Sequence, residues 1–340
     1  MTSVMLNEAQ EAPQAVARLL AADAATYAAL AQRWRTVPPQ GLLTLARGSS
    51  DHAAHYMAYL TMARLGRLVT SLPMSLFTLH GAGFDGQRLC ALAFSQSGQS
   101  PDLVEPLRAL RAGGADTLAA VNDSASPLAQ AAQWILPLHA GPERSVAATK
   151  SFIAQLVVGA RLVAAWSGDA VLAQALQSLP AVLERAAAHG WQRAVDVLQP
   201  ATSLFVISRG AGMAVAQEAA LKLKETCGLH AEAFSSAEVQ HGPMALVTPG
   251  FPLLVLAPRG PALPGLLTLA EAMRARGARV LLAAPAGTPG AELQLVEAAD
   301  EQLDPISAVQ SLYPMVECLA RARGGDPDQP RHLAKVTLTR

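Results

Sequence analysis

The feature that most narrows the choice of fold is an alternation that occurs twice. Short apolar runs of strand length are separated by longer segments with apolar residues every three or four positions, and the series then repeats. "GLLTLARG" (41–48), "LCALAFSQ" (89–96), "DTLAAVN" (116–122) and "QWILPLH" (133–139) make up the first series. "SLFVISRG" (203–210), "FPLLVLAPRG" (251–260) and "ARVLLAAP" (278–285) make up the second. Continuous apolar runs suit strands buried on both faces, and helical periodicity between them suits crossovers, so each series predicts a parallel sheet covered by helices. The copies align: Arg47-Gly48 with Arg209-Gly210, Gly98 with Gly260 at the same offset, and "RAGGADTLAAVN" (111–122) with "RARGARVLLAAP" (274–285) one residue out of step. Helices are expected before the first copy (8–32), between the copies (around 180–200) and from Asp304-Pro305 onward. The predicted organisation is a helical segment over 1–35, α/β subdomains over 36–185 and 186–325, and a tail over 326–340.

Composition then removes several functions. Half of the chain is hydrophobic (51%), enough for sizeable cores, while a formal net charge of +0 and no basic cluster leave nucleic acid nothing to hold. No apolar run approaches the roughly 20 residues that span a bilayer, and "MTSVMLNEAQ" lacks the basic-then-apolar pattern of a signal peptide. The chain is expected to be cytoplasmic, with no membrane or nucleic-acid partner. Cys90, Cys227 and Cys318 are scattered and odd in number, a pattern of reduced thiols rather than a disulfide or zinc framework. His52 and His55 stand three apart without a third ligand, so neither a metal nor another cofactor is expected. "GAGFDG" (81–86) spells the dinucleotide fingerprint, but a strand follows it where the motif needs a helix, and it is read as a loop.

Chemistry enters at the ends of the strands. Ser95-Gln96-Ser97-Gly98-Gln99-Ser100 lies where a strand hands over to a helix opened by Pro101-Asp102, and Ser49 and Ser50 repeat the theme after the first strand. In an open parallel sheet ligands bind beyond the carboxyl ends of the strands, and a helix N-terminus offers free N–H groups to an anion. Ser50 and Ser100 taken singly read as helix caps. Both clusters on neighbouring strands read instead as a phosphate cup without a lysine.

A second stretch, "QEAALKLKETCGLHAEAFSSAEVQHGPMALV" (217–247), places Glu218, Lys222 and Glu225 on one helix face. The bland reading is a surface ion pair. The largely apolar surroundings suggest a partly buried helix, the setting in which a carboxylate is tuned to move protons between carbons. Ser235 and Glu238 form a capping box for a short helix that ends at His241, before Gly242-Pro243. Alone, His241 reads more readily as a satisfied helix end.

Taken together, "SQSGQS", "VAATKSF", "EAALKLKE", "HAEAF", "EVQHGPMAL" and "DQPRHLAK" fall in the order found in one family. The chain resembles the sugar isomerase (SIS) domain proteins, most closely the isomerase half of the glutamine–fructose-6-phosphate aminotransferases, from "MLNEAQEAPQAV" to "DQPRHLAKV". The resemblance implies two similar SIS subdomains, each a three-layer α/β/α sandwich of flavodoxin-like type. It implies that Ser49, Ser50, Ser95, Gln96, Ser97 and Ser100 hold the sugar phosphate, and that Val146 and Ala334 touch the sugar through backbone. Glu225 matches the base that moves a proton between C1 and C2, with Lys222 and Glu218 as its supporting charges. His241 matches a ring-opening acid/base that reaches in from a neighbouring subunit, which implies a homodimer. Lys335 matches the tail lysine that engages the open-chain carbonyl, as an imine when its amine is deprotonated.

Ala148 stands where the family has a ligand-contacting serine, Gln99-Ser100 replaces a Glu-Thr pair, and Arg47 replaces a cysteine. The isomerase opening begins directly after Met1-Thr2, and the expectation is that no glutaminase supplies ammonia to this chain. The expected reaction is therefore an isomerising deamination: an aminosugar 6-phosphate plus water gives a ketose 6-phosphate plus ammonia, with glucosamine 6-phosphate and fructose 6-phosphate as the pair. The alternatives are a fructosamine 6-phosphate deglycase, another phosphosugar isomerase, and a non-catalytic sugar-phosphate sensor.

Overall fold

Each series of apolar runs becomes one five-stranded parallel sheet in the computed structural model, which describes residues 2–335. The first sheet contains β1 (Gly41–Leu45), β2 (Val69–Ser71), β3 (Leu89–Ser95), β4 (Asp116–Val121) and β5 (Trp134–Pro137), in the order β2-β1-β3-β4-β5. The second contains β6 (Ser203–Ser208), β7 (His230–Ser235), β8 (Pro252–Leu256), β9 (Arg279–Pro285) and β10 (Leu293–Leu295), in the order β10-β9-β8-β6-β7. Counted from its own first strand, the second order repeats the first, so the duplication seen in the sequence is a duplication of topology. In both sheets the chain reverses its direction of growth between the first and third strands, the switch point at which such sheets open a crevice.

The seven predicted strands all form, each shorter than its apolar run. β1 stops at Leu45 because Gly48 turns the chain at φ +54 into the helix Ser49–Leu65, and β3 stops at Ser95 before the turn at Gly98. Three strands carried no apolar run: β2, β7 and β10, all at sheet edges. The leading helical segment is three helices, Val4–Gln10, Ala12–Ala21 and Ala24–Thr36; the connector is two, Leu179–Ala188 and Gln192–Leu198; and Asp304–Ala322 closes the second half.

The chain divides into two compact units that interleave in sequence. One holds the first sheet, with Gln14–Glu143, Lys150–Gln177 and the tail from Ala334; the other holds the second sheet, with the residues up to Pro13, Arg144–Thr149 and Ser178–Leu333. In the first unit the helix Lys150–Ser167, buried almost throughout, packs on Ser49–Leu65 and Ala24–Thr36. Gly159 sits where a Cβ would come within 2.8 Å of Met57 Cβ, so that crossing is as close as two helices allow. One apolar layer of the first sheet buries Leu45, Ala93, Leu103, Leu107 and Val121. Its counterpart in the second unit buries Ile207, Val255, Leu266, Met273 and Leu282.

Candidate active site

The strand order places the loops after β1 and β3 side by side at the carboxyl edge of the first sheet. Ser49 and Ser50 open the helix that follows β1, and Ser100 stands before Pro101–Ala112, the helix that follows β3. None of these hydroxyls spends itself on capping. The first helix is capped by Gly48 without a side-chain bond, Ser100 makes no side-chain cap bond, and Ser50 Oγ accepts from Gln155 Nε2 at 3.0 Å. Inside the β3 loop, Gly98 N–H donates to Ser95 Oγ at 3.0 Å and Gln99 N–H to Ser97 Oγ at 3.3 Å. Gly98 is required by its φ of +63° and by contact: a Cβ there would lie 2.2 Å from Ser126 Oγ. Two helix N-termini, five serines and Gln96 thus stand on neighbouring loops at the carboxyl edge of one sheet, where a helix N-terminus can favour a small oxyanion.

Arg47 ties the two loops together. Its Nε donates to Asp102 Oδ2 at 2.9 Å, from the β1 loop to the first turn of the helix after β3, and Asp102 is buried. The residue that departs from the pattern of the resembled family therefore braces the two loops against each other. The equivalent loop after β8 has no serine, and there Arg259 clasps Asp304 through Nε and Nη2, both at 2.8 Å. Both copies thus pair a loop arginine with a buried carboxylate, and they differ in the serines, which the loop after β8 lacks.

In the second unit the helix Gly212–Cys227 carries the charged row. Glu218 is 0% and Lys222 1% exposed, which rules out the surface ion pair. Lys222 Nζ lies 2.5 Å from Glu225 Oε2 and 3.5 Å from Glu218 Oε1. Glu225, partly exposed, lines a cavity of about 590 Å³ with Lys224, Asp326, Gln329 and Arg331. A cation fixed between a buried carboxylate and an accessible one can steady the accessible one through changes of charge, as a proton relay requires. Beneath this row Cys227 is buried, and that burial pushes its thiol up to about 11, against the opposing pulls of Thr226 and Arg323. It packs as an inert thiol.

His241 closes the short 3-10 helix Glu238–Gln240; its N–H donates to Glu238 O at 2.9 Å and the residue is exposed on this chain. Half of the predicted capping box forms, with Glu238 N–H donating to Ser235 Oγ at 3.0 Å. Val146 lies in a segment of the same unit held by Glu8, whose carboxylate accepts Arg144 N–H at 2.5 Å and Ser145 N–H at 3.1 Å.

Lys335, with Ala334 before it, belongs to the first unit, and there it meets a residue that sequence reasoning passed over. Its Nζ lies 3.4 Å from Oε2 of Glu143, a carboxylate with no exposed side-chain surface. Glu143 also receives Ser151 N–H at 3.1 Å and the Ser151 hydroxyl. Among the described residues no cluster of three or more His, Cys, Asp or Glu side chains could hold a metal, and no helix is long and apolar enough to cross a membrane. "GAGFDG" is the loop entering β3; a Cβ on Gly86 would lie 2.7 Å from Ala115 N, so that glycine serves packing.

The model of the SIS domain matches residues 40–165 and 197–311, one stretch over each sheet. The chain belongs to the SIS family. Among curated SIS relatives, a glutamine–fructose-6-phosphate aminotransferase of Aeropyrum pernix is 37% identical over 98% of this chain and 56% of its own length. This SIS chain spans about half the length of the curated relatives it matches. Among solved structures, one described as a phosphosugar isomerase of Silicibacter pomeroyi superposes with a TM-score of 0.91 at 42% identity, covering 96% of this chain and all of the other. The glucosamine-6-phosphate deaminase of Thermotoga maritima shares the SIS fold at a TM-score of 0.80 and 19% identity, covering 99% of this chain and 100% of that one.

Proposed function

We propose that this SIS chain is an isomerising aminosugar-phosphate deaminase, taking a hexosamine 6-phosphate and water to a ketose 6-phosphate and ammonia. Glucosamine 6-phosphate and fructose 6-phosphate are the pair to try first. The observation that carries the reading is the row in which Lys222 is buried between Glu218 and the accessible Glu225. It has the makings of a proton relay, and the serine cup has the makings of a phosphate anchor. Glu225 takes the proton from C2 and returns it to C1, leaving an imine at C2. Lys335 supplies an amine that can exchange with the substrate's nitrogen at that carbon, and water completes the hydrolysis. In this reading His241 opens the ring from a second copy of the chain, Val146 and Ala334 meet the sugar through backbone, and the assembly is a homodimer.

The test is ammonia release from glucosamine 6-phosphate, with fructose 6-phosphate measured in parallel. Equal appearance of both products, reduced about 10²- to 10⁴-fold in Glu225→Gln with sugar-phosphate affinity preserved, is the expected result. Absence of ammonia from every hexosamine phosphate refutes the reading. Tight sugar-phosphate binding without turnover would then make the chain a sensor, and release of a larger amine from a fructosamine 6-phosphate would make it a deglycase.

A further inference from the structure

The chemistry asked of Lys335 poses a difficulty that the lysine cannot resolve alone. At neutral pH a lysine is an ammonium, which has no lone pair with which to attack a carbonyl. Something beside it has to take a proton and return it later. Among the described residues Glu143 stands in the right place, its Oε2 3.4 Å from Lys335 Nζ. We propose that Glu143 is the proton acceptor for Lys335, making the lysine nucleophilic at the moment of imine formation and taking part in the loss of water that follows. This rests on the reading of Lys335 given above.

Three features of the site support the assignment. The carboxylate is shut away from solvent, so a proton it accepts stays next to the reacting nitrogen instead of exchanging with bulk water. It is held from behind by backbone: Ser151 N–H fixes Oε1 at 3.1 Å, which aims the carboxylate, while the Ser151 hydroxyl competes with Lys335 for Oε2. Its partners come from a neighbouring helix start and from the far end of the chain, Ser151 eight residues on and Lys335 in the tail. The tail lysine is therefore anchored by the same carboxylate that serves it.

The step balances. In the reverse direction, with a ketose phosphate as substrate, the Lys335 ammonium gives one proton to Glu143 and the free amine attacks the ketone carbon, forming the C–N bond. The carbonyl oxygen then gathers one proton from the nitrogen and the first one back from Glu143, and leaves as water. A protonated imine on Lys335 remains beside a restored Glu143 carboxylate, with no oxidant or reductant consumed.

The experiment is reductive trapping: the full chain is incubated with fructose 6-phosphate and borohydride, and the adduct on Lys335 is timed by mass spectrometry. The parent is expected to trap, and Glu143→Gln, which keeps the shape and loses the acceptor, to trap about a hundredfold more slowly. Sugar-phosphate affinity, measured without reductant, is expected to stay within a factor of two or three of the parent's, since phosphate anchoring lies elsewhere. Ser151→Ala separates proton transfer from scaffolding. It removes the hydroxyl that competes for Oε2 and leaves the carboxylate, so trapping is expected at or above the parental rate, whereas a purely structural Glu143 would make both variants slow. That comparison also decides the matter if Glu143→Gln fails to fold, because a slow Ser151→Ala overturns the proposal. Equal trapping by parent and Glu143→Gln overturns it as well. A parent that releases ammonia but never traps overturns the imine role while leaving the deaminase standing; a parent that does neither overturns both.

Discussion

Replacing Lys222 by methionine removes the cation between two carboxylates while nearly preserving volume. At 3.5 Å from Glu218, the attraction at an effective dielectric of about 20 amounts to about 4–5 kcal/mol. The Glu225 contact is shorter, at 2.5 Å, but that side chain is 22% exposed, and solvent screens part of the gain. Breaking one side of a buried pair generally costs about 3–5 kcal/mol, because the remaining charge stays where water does not reach it. That is the expected loss of unfolding free energy for Lys222→Met, read as a fall in the urea midpoint by circular dichroism. Removing the buried charge as well, in Glu218→Gln/Lys222→Met, is expected to return about 1–3 kcal/mol relative to the sum of the single changes. A cost below about 1 kcal/mol for Lys222→Met would place the pair among surface ion pairs. It would refute both the burial argument and the relay built on it.

Three further outcomes follow from other parts of the molecule. Gly98→Ala forces a side chain onto a left-handed backbone and against Ser126; a loss of about 1–3 kcal/mol is expected from the backbone alone. Thermal melting should show Ser126→Gly relieving only the steric part. Asp169, which opens the helix Ala170–Gln177, is held below the usual carboxylate range first by Leu172 N–H, with Arg64 adding to the effect. Its folded value lies below its unfolded one, so its stabilisation is complete above the carboxylate range and fades as pH falls through the folded value. Asp169→Asn keeps a capping oxygen and should cost about 0.3–1 kcal/mol at pH 7, the deficit closing in acid when denaturation is followed against pH. Finally, if His241 serves a neighbouring subunit's site, inactive Glu225→Gln and inactive His241→Asn chains should regain about a quarter of parental activity when unfolded and refolded together, since half the dimers are mixed and each has one intact site. No recovery would place His241 and Glu225 in the same chain's site.

What the sequence revealed and what it hid divide along one physical line: whether a feature is dictated by neighbours in the chain. Central strands are buried on both faces, and β3 and β4 announce themselves as unbroken apolar runs. β2, β7 and β10 are edge strands with partly exposed residues, and the alternation of "HAEAFS" in β7 disappears into a charged, helix-flanked stretch. The serine-bearing loops were legible because a helix N-terminus and its small polar residues are adjacent in sequence. That the two serine loops are neighbours was only inferable from topology, and the strand order supplies it. The Glu218–Lys222–Glu225 row was legible as a face, but its burial comes from elsewhere, chiefly from packing of its helix on Asp304–Ala322.

Glu143 lies at the far end of the same line. Nothing in "GPERSV" distinguishes its carboxylate from any loop acid, because its meaning comes from a lysine 192 residues away. Arg47 hides for a similar reason, since its partner Asp102 reads locally as an ordinary first-turn acid of the next helix. Both residues link pieces whose local chemistry is readable: Arg47 joins two serine-bearing loops, and Glu143 joins a tail lysine to a helix start. A sequence reading of such a duplicated fold therefore finds the groups that present chemistry before the groups that align them. The aligning groups are charged residues with distant partners, and their substitution is expected to act on geometry and proton transfer before it acts on affinity.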